Sequence, residues 1–354
     1  EMSHRSKAFQ QIIDEAEQDI RDLMHIPDNY LSPSTCATLF VAMTPIWYYS
    51  ICKINKTLSA DKIPLIGIGG AFAFILMMFN LPIPDGTTAH AVGGTLIALL
   101  LGPYAACIAI SVALFIQAII FGDGGILSFG ANCFNIAFIL PFTGFFIYKI
   151  LNKIHLSPFY HKCTIFLSAY ISINLAAFFT ALELGIQPLL FVDNLGQPLY
   201  CPYPLWISIP AMALSHLTIA GIAEGLFTLS LYLFILKTSP NIIYDCQQIK
   251  LNSIFSLLAF LIIISPLGLI AEGTAWGEWA PEEILNDTSS GVPLGFIPEK
   301  LLNGFNYEAF FPDYTMSGTT DILAYIASAI IGVALLIIIF KMLGNIIYAK
   351  KQSL

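Results

Sequence analysis

Two histidines set in short polar islands are the residues of this sequence best suited to chemistry. His25 lies in Met24-His25-Ile26-Pro27-Asp28-Asn29-Tyr30-Leu31, just ahead of the first long apolar segment. His90 closes a second island, Pro84-Asp85-Gly86-Thr87-Thr88-Ala89-His90, between two later apolar segments. Imidazole suits nickel, copper, zinc or cobalt, and a nitrogen-only planar set favours nickel or copper. Were Met24 the first residue, its amine, the His25 amide nitrogen and the His25 imidazole could form fused chelate rings, with His90 as a fourth nitrogen. Pro27 stiffens the backbone directly after these groups. The plainer alternative for each histidine is a hydrogen-bonded structural role. Asp28 and Asp85 could draw cations in or orient an imidazole through its second nitrogen. They serve equally well as the turn residues of Pro27-Asp28-Asn29 and Asp85-Gly86. Gly122-Asp123-Gly124-Gly125, with Ser128 and Asn132, is expected to pack under the site as support. His216 and Glu224 fall within one long apolar run, on roughly the same helix face. Intramembrane ionisable groups are functional candidates. Here a paired polar contact within the bundle or with a partner subunit competes with a proton relay. Gly221 and Gly225 form a small-xxx-small pattern that lets helices approach closely.

The elements that must position these residues follow from composition. Of 354 residues, 57% are hydrophobic and only 11% charged, and the mean hydropathy is +0.77. Soluble domains carry about a quarter charged residues. Apolar runs of roughly twenty residues recur, each long enough to cross a bilayer as helix. The expected fold class is all-α, a polytopic membrane helical bundle with about seven core spans plus two appended spans. The seven cysteines are scattered, several inside apolar runs, and show neither metal nor disulfide spacing. No basic aromatic surface points to nucleic acid. No Gly-Lys-Ser/Thr phosphate loop is present, so ATP hydrolysis would belong to another chain.

The organisation reads as a hydrophilic N-terminal extension over 1–23, a membrane core over 24–237, a linker over 238–252 and a two-span C-terminal domain with an acidic outer loop over 253–354. Residues 1–23 lack the apolar core of a secretory signal. Spans are expected near 36–52, 63–79, 104–121, 131–151, 164–184, 205–236, 253–271 and 322–348, with a short glycine-rich segment at 91–102 that need not cross fully. Lys53, Lys56, Lys62, Lys149, Lys153, Lys162, Lys237, Lys341, Lys350 and Lys351 all flank spans on one side if the first span starts outside. Positive charge marks the cytoplasmic side, which puts Met24, His25 and His90 on the extracytoplasmic face of a multi-pass plasma-membrane protein.

Met-His-Ile-Pro-Asp-x-Tyr-Leu-Ser-Pro over 24–33 and Asp-Gly-Thr-Thr-Ala-His-Ala-Val-Gly-Gly over 85–94 resemble the nickel/cobalt substrate-binding subunits of energy-coupling-factor transporters. Ser128-Phe129-Gly130-Ala131-Asn132 and the stretch from His216 to Gly225 extend the likeness across 24–237. Asn29 stands where the family usually has Gly, and Asn also accepts positive φ. The tail, through Ser265-Pro266-Leu267-Gly268-Leu269 and the stretch from Ala271 to Trp279, resembles the small second component of these systems fused in one chain, with Leu267 where Asp is frequent. The resemblance implies metal ligands at Met24 (amine), His25 (amide and imidazole) and His90 (imidazole). It also implies Ni²⁺ as the transported substrate, Co²⁺ being the alternative, because Met-His-Ile-Pro-Asp looks like the nickel branch. The implied partners are a transmembrane coupling subunit, ABC-type ATPase subunits and the lipid bilayer; no catalytic residues and no enzyme activity are expected. A proton-coupled cation carrier using His216 and Glu224 is the rival of a different class. An intramembrane metalloenzyme lacks a His-Glu-x-x-His pattern.

An amine at Met24 requires the working chain to begin there, by initiation or processing. A chain continuing through Leu23–Met24 would offer an amide that must lose a proton to bind. Intact-mass measurement of the mature protein decides between the two: a chain starting at Met24 supplies the amine, and a mature chain retaining residues 1–23 removes it from the ligand set.

Overall fold

In hydrocarbon every backbone polar group must be bonded within the protein, which leaves helices as the natural solution for long apolar runs. Their starts are written in the sequence. Pro33, Pro103 and Pro158 each open a helix, where a missing N–H costs nothing. Ser32 and Ser157 stand just ahead of two of them, and their side chains accept the amides of Thr35 and Tyr160.

A computed structural model describes residues 25–59, 62–83, 87–154, 157–238, 251–271, 284–285 and 294–352. The N-terminal extension 1–23, Met24, Asp85, most of the 238–252 linker and the Glu272–Trp279 stretch lie outside the described residues. The chain runs through α1 (Pro33–Thr57), α2 (Ile63–Met77), β1 (Asn80–Ile83), β2 (Thr87–His90), α3 (Gly94–Leu101), α4 (Pro103–Phe121), α5 (Phe129–Leu151), α6 (Pro158–Gly185), α7 (Leu205–Thr238), α8 (Leu251–Ile264) and α9 (Asp321–Gln352). Among the described residues seven helices are long and apolar enough to cross a membrane: α1, α4, α5, α6, α7, α8 with its 3₁₀ extension to Ile270, and α9. The protein is a polytopic helical membrane protein, and the six described cysteines are free thiols.

Two elements are short. α2 has 15 residues and stops at Met77, because Asn80 and Pro82 begin a strand that pairs antiparallel with β2. In this hairpin Asn80 faces His90 and Ile83 faces Thr87. α3 has eight residues, a rise of about 12 Å, and it lies against α4, whose length is about 28 Å. The chain reverses from α3 into α4 at Gly102, whose φ of 88° and ψ of 156° are open only to glycine. Since α3 covers less than half of α4 from that reversal, Gly94 lies near mid-bundle. The hairpin therefore carries His90 well below the end of the bundle. The glycine-rich segment 91–102 is a half-span.

α2 is buried along almost its whole length, as befits a helix that is apolar all round. The appended helix α9 lies along it rather than at the periphery. A Cβ added to Gly67 would sit 2.8 Å from the Leu336 carbonyl oxygen, and one added to Gly332 would enter the Phe74 ring. Small residues at these crossings set the backbone separation. Gly67→Val is expected to force α9 off α2 and to destabilise the bundle by about 1–3 kcal/mol. A lowered thermal midpoint of the detergent-solubilised protein checks it, and an unchanged midpoint would show the helices can separate freely.

Candidate metal site

The Ile26–Tyr30 segment is held from several sides by the polar loop that precedes α5 and by α5's first turn. The Asn132 side chain behaves like a peptide group: its Oδ1 accepts the Ile26 amide at 2.8 Å and its Nδ2 donates to the Ile26 carbonyl at 3.0 Å. Gly125 N–H and the Ser128 hydroxyl donate to the same carbonyl. Asp28 answers in the other direction, accepting the amides of Ile126 and Leu127 at 3.0 and 2.7 Å. Burial raises the Asp28 carboxyl, and those backbone donors oppose the rise. Gly125 has no room for a side chain, since a Cβ would collide with Asp28 and Ser128. Asn29 adopts φ 70°, as its residue type permits. Its side-chain amide pairs with the backbone of Phe305, at 2.8 Å to the carbonyl and 2.9 Å from the N–H.

These bonds bury His25 completely. Its Nδ1 meets Asp123 Oδ1 in a buried ion-pair contact. A carboxylate accepts only from an N–H, so Nδ1 carries a proton, which in the neutral ring form leaves the lone pair on Nε2. That nitrogen is buried and makes no hydrogen bond. The second Asp123 oxygen accepts from Gln117 Nε2 at 2.8 Å and from the Tyr314 hydroxyl. Burial would raise the Asp123 carboxyl, but the charge and hydrogen bond of His25, then the Tyr314 hydroxyl, outweigh it and hold it below the ordinary range.

His90 comes from the other direction, on β2, and is 2% exposed. Its ring centroid lies 5.3 Å from that of His25, with the planes at 54°. Nδ1 lies 3.1 Å from the Ala91 carbonyl, to which it donates, so its lone pair is also on Nε2. Burial, then the neighbouring His25, pushes the His90 pKa down to about 3. The hairpin's exit is anchored by Glu224, which accepts the Val92 and Gly93 amides at 2.7 and 2.9 Å.

The two histidines marked by their residue type do meet, and the 122–130 loop supports them. His216 and Glu224 divide their work instead of pairing: His216 Nδ1 bonds the Met212 carbonyl at 2.9 Å, while Glu224 holds the His90 strand. A π-turn over His216–Ala220 lies between them and shifts the helix phase. Further π-turns start at Gln117 and Cys133, next to residues that serve the site. Gly225 lets α6 in, since a Cβ there would reach the Phe166 ring. Gln117 and Tyr314 escaped the sequence reading; a buried glutamine in an apolar run was the available signal for the first. Among the described residues no group of three or more His, Cys, Asp or Glu side chains is arranged to hold an ion. A metal bound by this imidazole pair would therefore draw its remaining donors from elsewhere, backbone nitrogen included.

The described residues thus form a polytopic membrane bundle that closes over two neighbouring imidazoles. The model of the family described as "Cobalt uptake substrate-specific transmembrane region" matches residues 25–242, and that of the PDGLE domain matches 251–349. The chain belongs to this metal-transport family, with a PDGLE domain fused behind it. It is 45% identical to the probable fused nickel transport protein LarMN of Lactiplantibacillus plantarum, over 90% of this chain and 97% of that one. It is 43% identical to the fused nickel transport protein NikMN of Rhodobacter capsulatus, over 89% and 95%. A crystal structure of a truncated transition metal transporter superposes with a TM-score of 0.57 at 51% identity, covering 60% of this chain and 99% of that one.

The depressed His90 pKa has a sign that can be measured. Between about 3 and the ordinary 6.5 the unfolded chain binds a proton that folded His90 refuses, so its contribution to stability rises with pH across that window. The thermal midpoint is expected to be lower at about pH 5 than at about pH 7, and His90→Gln to shrink the difference. An equal difference in both proteins would remove His90 burial as the cause.

Proposed function

We propose that the protein is the substrate-capture component of an ATP-driven energy-coupling-factor importer for Ni²⁺. It takes the ion at the extracytoplasmic end and hands it inward with a transmembrane coupling subunit and ABC-type ATPase subunits. The observation that carries the reading is the His25–His90 pair: two buried rings with centroids 5.3 Å apart, each with its proton committed on Nδ1. Both fused relatives named above are nickel transport proteins, which favours nickel over cobalt. The run of lysines at the opposite helix ends supports the orientation.

The ligands are the Met24 amine, the His25 amide and imidazole nitrogens, and the His90 imidazole. A chelate ring shared by the His25 amide and its own imidazole closes only through Nδ1. Loading therefore requires the His25 ring to turn within its pocket, changing which nitrogen faces Asp123. The carboxylate–imidazole contact then orients the ring, as outer-shell carboxylates do at metal-bound histidines. Co²⁺ suits the same nitrogen set, and competition titration ranks the two ions. A proton-coupled carrier finds less support, because the His216 Nδ1 and one Glu224 carboxylate oxygen are both spent on backbone hydrogen bonds.

Protein beginning at Met24 is expected to bind one equivalent of Ni²⁺ by calorimetry. His90→Ala should weaken binding by more than the ~10–100-fold typical of losing an outer-shell partner. Unchanged affinity would sink the site assignment.

A further inference from the structure

The acidic segment before α9 has a described part, 294–320, that packs on the histidine end of the bundle. Its contacts go to the elements that build the site. Phe305 pairs with Asn29, the Tyr307 hydroxyl donates to the Ile119 carbonyl at 3.0 Å, and the Phe311 amide donates to the Ile120 carbonyl at 2.9 Å. Docking alone would need no more than these. Tyr314 goes further: it is 3% exposed and carries its hydroxyl inward to Asp123, 191 residues away in sequence.

The placement of that hydroxyl is over-determined. Its ring stacks on Phe121 with centroids 4.8 Å apart and meets Tyr325 edge-on at 5.5 Å. Gln117 Nε2 lies within hydrogen-bond distance of both the Tyr314 hydroxyl, at 3.0 Å, and Asp123 Oδ2. Asp313 and Tyr314 have φ of 49° and 61°, the left-handed region that costs a non-glycine residue about 1–2 kcal/mol. Consecutive residues in that region mark backbone held against its preference, a feature that clusters at functional sites. The strain turns Tyr314 away from the surface and into the bundle.

The geometry points to Tyr314 as a positioning residue for metal capture, supplied by the PDGLE domain: its hydroxyl fixes the Asp123 carboxylate, and that carboxylate in turn fixes the His25 imidazole. This rests on the metal-capture reading above. Without the hydroxyl, Gln117 is the one donor left to Asp123 Oδ2 among the described residues, and the carboxylate can swing, loosening the ring it orients. Outer-shell partners of this kind change metal affinity by about 10–100-fold when removed. The fused domain thereby completes the first domain's site without supplying a metal ligand.

The test uses full-length protein, Ni²⁺ as the probe, and calorimetry together with the ligand-field absorption of the bound ion. Tyr314→Phe keeps the ring stack and deletes only the hydroxyl. Tyr325→Phe is the control, because its hydroxyl also ties α9 to the core, at 2.7 Å to the Met78 carbonyl, but stands off this relay. Tyr314→Phe is expected to lower Ni²⁺ affinity about 10–100-fold and to shift the absorption band, while Tyr325→Phe leaves both as in the parent. Gln117→Met removes the other donor to the same carboxylate oxygen and should act in the same direction, an independent readout if Tyr314→Phe folds poorly. Parent-like affinity and spectrum in Tyr314→Phe, with His90→Ala still defective, would overturn the inference alone. Equal losses in Tyr314→Phe and Tyr325→Phe would also overturn it, by showing that domain docking suffices. Parent-like binding in His90→Ala would instead take down the capture reading on which it stands.

Discussion

A polar loop buried at the end of an apolar bundle must bring its own hydrogen-bond partners, and most of this structure answers that demand. An unbonded amide or carboxylate away from water costs several kcal/mol. The segment carrying His25 meets the demand with side chains that imitate backbone. Asn132 bonds both polar groups of Ile26, Asp28 collects the amides of the 126–128 turn, and Asn29 does for Phe305 what Asn132 does for Ile26. The Ile26 bonds satisfy buried groups, and every one of these bonds removes a freedom. The rigidity of the two imidazoles is thus a by-product of solvation chemistry, not a separate device.

The irregular backbone of the fold is gathered around the same place. The hairpin, the half-span α3 and the π-turns at Gln117, Cys133 and His216 all lie within or next to site-bearing segments. Regular helices could not do this work, because a continuous α2–α3 pair would leave no strand to lower His90 into the bundle. Non-helical backbone at membrane depth is tolerated only where protein encloses it. Here Glu224, Asn132 and Asp28 provide the enclosure.

What could be read from the residues divides along the same line. Span order is legible because run length is a local property, and the described helices follow it: the run expected at 63–79 is α2 with Asn80 just beyond it, and the glycine-rich 91–102 is the short α3. The meeting of His25 and His90 is legible because both sit in polar islands at the ends of apolar runs. Positive φ at Asn29 follows from residue type, and a supporting role for the 122–130 loop follows from its polarity. Partners chosen across distance are not legible. Nothing near Asp123 announces Tyr314, and nothing near Glu224 announces the Val92 and Gly93 amides, since each pairing is settled by how helices pack. The eight-residue spacing of His216 and Glu224 suggests a shared face, but the π-turn between them breaks the period on which that expectation depends.

Burial of both rings carries a kinetic consequence. Groups that touch no solvent exchange partners only as fast as their enclosure opens, so an occupant's residence time follows the gate as well as the bonds. Among the described residues the His90 hairpin and the 294–320 segment are two of the walls of this enclosure, each tied to the rest by hydrogen bonds. Any force that lifts either part shortens that residence time without touching a donor nitrogen. In the proposed capture role, holding and letting go could therefore be tuned independently, the one by the imidazoles and the other by the walls around them.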